Sequence, residues 1–304
     1  MTIVSEPATD GRFTREELLR ALAQVCARAG LDPTGARLLR FTNNAVFRLA
    51  TRPVVVRIVG SRTLRHRVDK VVAVASWLAE HDVPAVRLLP GVEQPVWVGE
   101  HVATLWQAVS VVDRRLTGGD LARLLRRLHA LPAPPFPLPT WDPLDDVRRR
   151  LADAEELDPD DQEFLQNRCA ELEAELAGLC PSLPWGPVHG DAHLGNLIPS
   201  PSGPVLCDFD STCVGPREWD LIPVAVGRLR MGQPADWYRE LAREYGFDVI
   251  RWPGFGVLRQ IREIKLVTSA LPIVRSNPAV RPELQRRLRS FRAGDSSARW
   301  SPFR

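Results

Sequence analysis

The apolar residues of this chain keep two rhythms, and the change comes about a third of the way along. Between residues 37 and 107 they gather in short, Val-rich runs: Arg37–Arg40, Ala45–Ala50, Pro53–Val59, Val86–Leu89, Val96–Val98 and His101–Gln107. Runs of this length bounded by Gly, Pro and Asn are strand signals. Two helical stripes accompany them. Leu18, Leu22, Val25 and Cys26 share one face behind a Thr14/Glu17 capping box and end at Gly30; Leu64, Val68, Val71, Val72, Ala75 and Leu78 repeat at helical spacing as far as His81-Asp82. From about residue 110 the pattern turns helical. Stripes run through Leu121–Leu128 and Leu165–Leu179, and helices are expected at Trp219–Leu229, Asp236–Tyr245, Gly254–Leu271 and Pro282–Phe291. Only the segment around residues 185–209 breaks this second part, reading as short strands and a loop, with Ser200-Pro201-Ser202-Gly203 as a hairpin turn before a strand at Val205–Phe209. The expectation is an α+β fold with a small β-rich N-terminal lobe (1–108) and a larger helical C-terminal lobe (109–304).

Composition narrows the classes. A chain of 304 residues can bury a full core, and a formal charge of +3 with scattered arginines argues against a nucleic-acid partner. No apolar run reaches the roughly 18–20 residues of a membrane span, and the N-terminus lacks the charged start and apolar core of a signal peptide. The five cysteines are odd in number and show no CxxC pairing, which reads as reduced, mostly buried thiols. Together these imply a cytoplasmic protein without a membrane partner. The segment LPAPPFPLPTWDPLDD is dense in proline and should form an extended connection, and the acidic stretch Asp153–Glu163 a solvated face.

The chemistry-bearing residues cluster in the strand-and-loop segment. His189-Gly190-Asp191-Ala192-His193-Leu194-Gly195-Asn196 is followed by Asp208-Phe209-Asp210. A carboxylate, an amide five residues on and a second carboxylate about a dozen residues beyond form a minimal kit for metal-assisted phosphoryl transfer. Asp191 can orient an attacking hydroxyl or take its proton. The oxygens of Asn196 and Asp208 are hard ligands suited to Mg²⁺ bridging nucleotide phosphates. Asp210 is either a ligand of a second ion through water or a cap on the following turn.

HGDAHLGN and CDFDSTCVGPREWDL together resemble the aminoglycoside phosphotransferase and choline kinase group, which shares the bilobal protein-kinase-like fold. In the first part of the chain the resemblance rests on Asn44–Leu49, Val55–Ile58 and Trp77-Leu78 before Val83-Pro84. It implies a small-molecule kinase that moves the γ-phosphate of ATP or GTP, with Mg²⁺, to the hydroxyl of a small acceptor, and a nucleotide held between the lobes. Asp191 takes the place of the catalytic aspartate, and His193 the place where protein kinases carry a lysine near the transferred phosphate. His189 is expected to hold the loop, and Asp220 to brace its backbone. The strand lysine that grips the α- and β-phosphates is replaced by Arg57, and its helix glutamate partner has no clear counterpart, Val71 or Val72 falling near its place and Asp69 being the nearest acid. A planar, permanently charged fork binds phosphate differently from an ammonium. A bland reading makes Arg57 an edge-strand surface residue. Asn43 and Asn44 would cover the phosphates, and Thr104, Trp106 and Ala108 would lie along the interlobe strand that meets the purine.

Two other readings use the same residues. A non-catalytic nucleotide-binding module is suggested by Arg57 and the missing glutamate. A metal-dependent hydrolase would use His189, Asp191 and His193, which alternate and would face one side of a strand, with Asp208 as a further ligand. The acceptor's identity is not legible. Polycationic acceptors want acidic walls, whereas the later helices carry Arg259, Arg262, Arg275, Arg281, Arg286 and Arg287, and Glu218, Glu240 and Glu263 form no cluster. A neutral or anionic hydroxylated metabolite is therefore as good a candidate as an antibiotic.

Overall fold

A computed structural model describes residues 15–41, 44–60, 62–154, 156–275 and 277–303. The Thr14 cap and Asn43 lie outside the described residues. The chain divides into two compact units: residues 1–115, 134–138 and 195–212 form the first, and 116–133, 139–194 and 213–304 the second.

The first unit is built on a five-stranded antiparallel sheet. Its elements are α1 (Arg15–Arg28), β1 (Arg37–Phe41), β2 (Asn44–Arg48), β3 (Val54–Val59), α2 (Val68–Glu80), β4 (Val96–Val98) and β5 (His101–Gln107). The strand order β1-β2-β3-β5-β4 puts β3 in the centre. Alternation then sorts the side chains. Val54, Val56 and Ile58 point to the face that Leu18, Leu22, Val25 and Cys26 of α1 cover, joined by Ala103 and Leu105 of β5. Arg57 pairs in register with Thr104, and Val55 with Trp106, so these residues share the opposite face. A 3₁₀ turn, Arg62–Arg67, leads into α2, whose Val71, Val74, Trp77 and Leu78 are buried.

Val86–Leu89 does not form the expected strand. Its neighbourhood makes only isolated bridges, Ala85 parallel to Leu206 and Leu88 antiparallel to Trp106. The segment thus stitches two neighbours rather than extending one ladder. Residues 195–212 complete the unit with the hairpin β7 (Leu197–Ser200) and β8 (Gly203–Leu206). The strand expected to reach Phe209 stops at Leu206, because Asp208 adopts a left-handed backbone with φ of 71° that no strand accommodates.

The second unit is helical around one small ladder. It contains α3 (Gly118–His129), α4 (Asp145–Ala152), α5 (Pro159–Ala177), β6 (Trp185–Val188), β9 (Cys213–Pro216), α6 (Ile222–Arg230), α7 (Ala235–Tyr245), α8 (Phe255–Thr268) and α9 (Arg281–Arg292). β6 and β9 pair antiparallel, with the His189–Asn196 segment leaving the end of β6. Thr117 and Asp120 form a reciprocal capping box at the start of α3. Asp158 caps α5 by accepting from the Asp160 amide, so part of the acidic stretch has a local backbone role. Among the cysteines, Cys26, Cys169 and Cys213 are buried as expected, but Cys180 is exposed. No helix among the described residues is long and apolar enough to cross a membrane.

Helices α3 and α7 approach most closely at Gly118. A Cβ there would lie 1.6 Å from the Trp237 carbonyl oxygen. Gly118→Ala must push backbone against backbone, so a loss of about 1–3 kcal/mol of unfolding free energy is expected in urea titrations. A variant as stable as the wild type would show that this contact yields freely.

Candidate active site

The motif loop of the second unit is fastened from below by one carboxylate. Asp220, fully buried, accepts the His189 amide at 2.7 Å and the Gly190 amide at 2.8 Å. The Trp219 indole donates to the Gly190 carbonyl at 2.9 Å. Gly190 has φ of 84°, a conformation glycine tolerates without strain, and it turns the chain so that Asp191 leaves the loop on the far side. The third donor to Asp220 is His129 Nε2 at 2.9 Å, and His129 Nδ1 lies 2.8 Å from the Tyr245 hydroxyl. Burial and the nearby Asp220 push the Tyr245 phenol well above its ordinary range. The Asp220 carboxylate can only accept, so the proton shared between them sits on His129 Nε2. Asp220 thus braces the loop backbone in the manner the sequence suggested.

Asp191 itself is about a third exposed. Its Oδ1 lies 2.8 Å from an Arg262 nitrogen of α8 and its Oδ2 3.7 Å from His193 Nε2. The buried His189 ring accepts the Asp191 amide at 3.4 Å. Burial opposes ionisation of Asp191, but Arg262, then His193 and His189, outweigh it and hold the carboxyl well below the usual carboxylate range. The loop is not a strand, since β6 ends at Val188. His189 is fully buried whereas Asp191 and His193 are partly exposed, so the three do not present one ligating face. Among the described residues no group of three or more His, Cys, Asp or Glu side chains could hold a metal ion. The zinc hydrolase reading loses its geometric basis.

The first unit carries the rest of the motif. Asn196 is buried, and its carbonyl accepts the Cys207 amide at 3.0 Å, which ties it to the residue before Asp208. Asp208 and Asp82 are the non-glycine residues with positive φ among those described. A strained aspartate between two bonded segments is the pattern of a residue held for its side-chain direction. The Cys207 thiol beside it is pushed up to about 12 by burial and by Asp208, and stays protonated.

Asp210 has other business than a metal ion. Its carboxylate pairs with the Arg57 guanidinium, and Lys70 of α2 donates to the Asp210 carbonyl at 2.6 Å and to the Thr212 carbonyl at 2.9 Å. Burial works against its charge, but Arg57, with Lys70 nearby, holds the carboxyl below its ordinary value. Arg57 is therefore not an edge-strand surface residue; it stands on the central strand with 13 % of its side chain exposed. Its acidic partner comes from the motif loop, not from the helix, where Lys70 takes the bracing role.

Asn44 pairs in register with Val59 and so shares the Arg57 face. Thr104 and Trp106, on the same face, are buried. The Trp106 indole donates to Thr104 Oγ1 at 2.8 Å and its ring lies 6.4 Å from that of Phe209. They form the floor under the Asp208–Asp210 segment. The Ala108 amide donates to the Pro53 carbonyl at 2.8 Å, so that donor is already used. Sequence reasoning missed Lys70, Arg262, His129 and Tyr245. The spacing of Arg262 and Lys265, three apart on one helix face, was the signal within reach for the Asp191 partner.

The sequence pattern of the phosphotransferase enzyme family matches residues 34–261. The chain belongs to this family. It is a phosphotransferase that uses a hydroxyl group as acceptor. Solved structures agree in fold. An amicoumacin kinase solved with AMP-PNP, Ca²⁺ and Ami matches with a TM-score of 0.68 at 14% identity, over 96% of each chain. The choline kinase LicA from Streptococcus pneumoniae gives 0.65 at 14% identity, over 90% of this phosphotransferase and 98% of that chain. An aminoglycoside phosphotransferase from Streptomyces rimosus gives 0.54 at 22% identity, over 82% and 98%. No curated protein matches the sequence at a significant level.

Two outcomes follow for this phosphotransferase. Asp220→Asn leaves one oxygen for three donors and turns an NH₂ toward one of them. A loss of about 1–3 kcal/mol per orphaned donor is expected in chemical denaturation, with activity falling alongside. Unchanged stability would mean the loop is held by something else. The second concerns pH. A depressed native pKa contributes stability above the ordinary carboxylate value near 4, lost only as pH falls through the lower native one. Initial rates between about pH 5 and 8 should therefore show no acid limb from Asp191. An Arg262→Gln variant should bring such a limb upward.

Proposed function

We propose that the chain is a cytoplasmic small-molecule kinase that transfers the γ-phosphate of ATP or GTP to a hydroxyl of a small acceptor. The observation that carries this reading is the Asp191 loop, fixed at its backbone by Asp220 and Trp219 while the Asp191 carboxylate stays partly open to solvent. Bracing of this kind serves a side chain whose direction matters to less than an ångström. The neighbouring amicoumacin kinase, whose structure contains AMP-PNP and Ca²⁺, supports a nucleotide donor and a divalent cation.

In this reading Asp191 receives the acceptor hydroxyl and turns its lone pair toward the γ-phosphate. His193 donates a hydrogen bond toward the transferred group. Asn196 and Asp208 are suited to one Mg²⁺: a neutral amide oxygen and one carboxylate are enough for an ion that keeps several waters. When bound, Mg²⁺ would neutralise charge on the phosphate oxygens. Asp210 is taken by Arg57 and Lys70 and is left out of this ligand set. The donor side belongs to the N-terminal lobe, residues 1–108, with Asn43 and Asn44 over the phosphates. Ala108 lies by the purine, and Thr104 and Trp106 support the motif from below. Arg57 serves the phosphates through Asp210, whose segment it fixes.

A screen of phosphate transfer from ATP and GTP to sugars, amino alcohols, aminoglycosides and hydroxy acids tests the activity. Asp191→Asn should lower kcat by about 10²–10⁴ while donor affinity changes only a few-fold. Asp208→Ala should abolish Mg²⁺-dependent nucleotide binding in calorimetry. Near-normal turnover without Asp191, or metal-dependent binding that survives the loss of Asp208, would overturn the assignment.

A further inference from the structure

The surroundings of Asp191 in the second unit are cationic. Arg262, 13% exposed, stands 2.8 Å from its carboxylate, and Lys265 lies one turn further along the same face of α8, 17% exposed. The Lys265 ammonium donates to the Pro143 carbonyl at 3.1 Å and to Asp146 at 3.4 Å. Arg150 of α4 donates to the Lys265 carbonyl at 3.2 Å, so a third cation is anchored to the same turn of α8. Burial, with Arg150 and Arg262 nearby, moves the Lys265 ammonium below its ordinary range even though Asp146 and Asp191 favour the charge. The one acid that joins this group from α4, Asp146, is already shared with Arg149.

Two of the acids that could welcome a polycation are committed elsewhere. Glu263, on α8 beside Arg262, gives both oxygens to Arg230 and takes Arg259 as well. Glu218 is buried and accepts the Ser182 and Leu183 amides, each at 2.6 Å. A cation held in a partly desolvated place beside a reacting carboxylate is costly to keep. Its guanidinium is a ready-made fork for a carboxylate or a phosphate.

We propose that the acceptor is a small hydroxylated molecule carrying an oxyanion, a carboxylate or a phosphate, near the hydroxyl, and that Arg262, supported by Lys265, recognises that group. The proposal rests on Asp191 being the residue that meets the hydroxyl. In the structure Arg262 lies one hydrogen-bond length from Asp191, so the acceptor's charged group and its hydroxyl would sit side by side. A polycationic acceptor would bring like charge against Arg262 at that point.

The test compares small hydroxylated acceptors of different charge: glycerol, glycerate, glycerol 3-phosphate and ethanolamine, with kanamycin as polycation, each with Mg²⁺–ATP. The expected result is a kcat/KM at least tenfold higher for an anionic member than for glycerol, with ethanolamine and kanamycin below it. Glycerate and glycerol 3-phosphate separate carboxylate from phosphate. Arg262→Gln should collapse the preference, mainly through KM, and Arg262→Lys should restore part of it. Preference for a neutral or cationic acceptor in the wild type, or a preference that survives Arg262→Gln, would overturn the proposal. Where none of these acceptors turns over, ³¹P line broadening of inorganic phosphate at saturating Mg²⁺–ADP decides: broadening in wild type and not in Arg262→Gln supports it, and equal or absent broadening refutes it. A wild-type chain that prefers kanamycin to every anionic acceptor, while Asp191→Asn phosphorylates none, would sink this proposal and leave the kinase reading intact. A chain that binds no nucleotide would sink both.

Discussion

Asp220 sits fully buried with three donors converging on its two oxygens, two of them backbone amides of the loop that carries Asp191. A carboxylate without water is costly, and these three hydrogen bonds offset that cost. The third donor is His129 Nε2, whose ring is held at its other nitrogen by the Tyr245 hydroxyl. Trp219, the preceding residue, satisfies the Gly190 carbonyl. The whole peptide plane around Gly190 is therefore defined, and the positive φ of that glycine becomes a fixed turn rather than a hinge. Everything proposed for Asp191 depends on this anchoring.

A different charge arrangement organises the first unit. The central strand offers Arg57, the helix offers Lys70, and the motif loop supplies the acid, Asp210, between them. Two cations on the frame thus grip one loop, Arg57 through the side chain and Lys70 through two carbonyls. The phosphate-gripping lysine and its helix glutamate are not simply missing. The strand keeps a cation, the helix offers a second one, and the acid comes from the loop; the left-handed backbone of Asp208 lies just before the span they hold. Strain of this kind persists only where the surroundings over-determine it, and here Arg57, Lys70, the Asn196 carbonyl and the Phe209–Trp106 contact all bear on one short segment.

What could be read from the sequence follows from what sequence encodes locally. Helix and strand came from periodicity, because the period is set by which side chains must leave water, and the α+β order of the chain was legible for that reason. Val86–Leu89 misled because a Val- and Leu-rich run is buried either way, whether it joins a ladder or bridges two neighbours. The end of β8 misled because nothing in Val205–Phe209 announces a left-handed aspartate. Asp191, Asn196, Asp208 and the brace Asp220 stood in a recognisable spacing. Arg57–Asp210 spans 153 positions, and Lys70 meets Asp210 across 140. Such pairs leave no local signature, so the acid that meets Arg57 was not legible from the sequence.

The Asp191–Arg262 pair bears on how transfer would work. A carboxylate held far below its ordinary pKa by a guanidinium is a weak base. It is poorly suited to strip an alcohol of its proton before attack. Phosphoryl transfer does not require that, because the transition state is loose and bond formation to the nucleophile lags behind departure of the leaving group. The proton can leave late, and the early requirement is alignment. In the proposed role, a carboxylate fixed by Arg262 on one oxygen would keep the other, beside His193, as a directional acceptor for the hydroxyl. The same guanidinium that weakens Asp191 as a base thus improves it as a guide, and its charge lies where an oxyanion on the acceptor would complete the alignment.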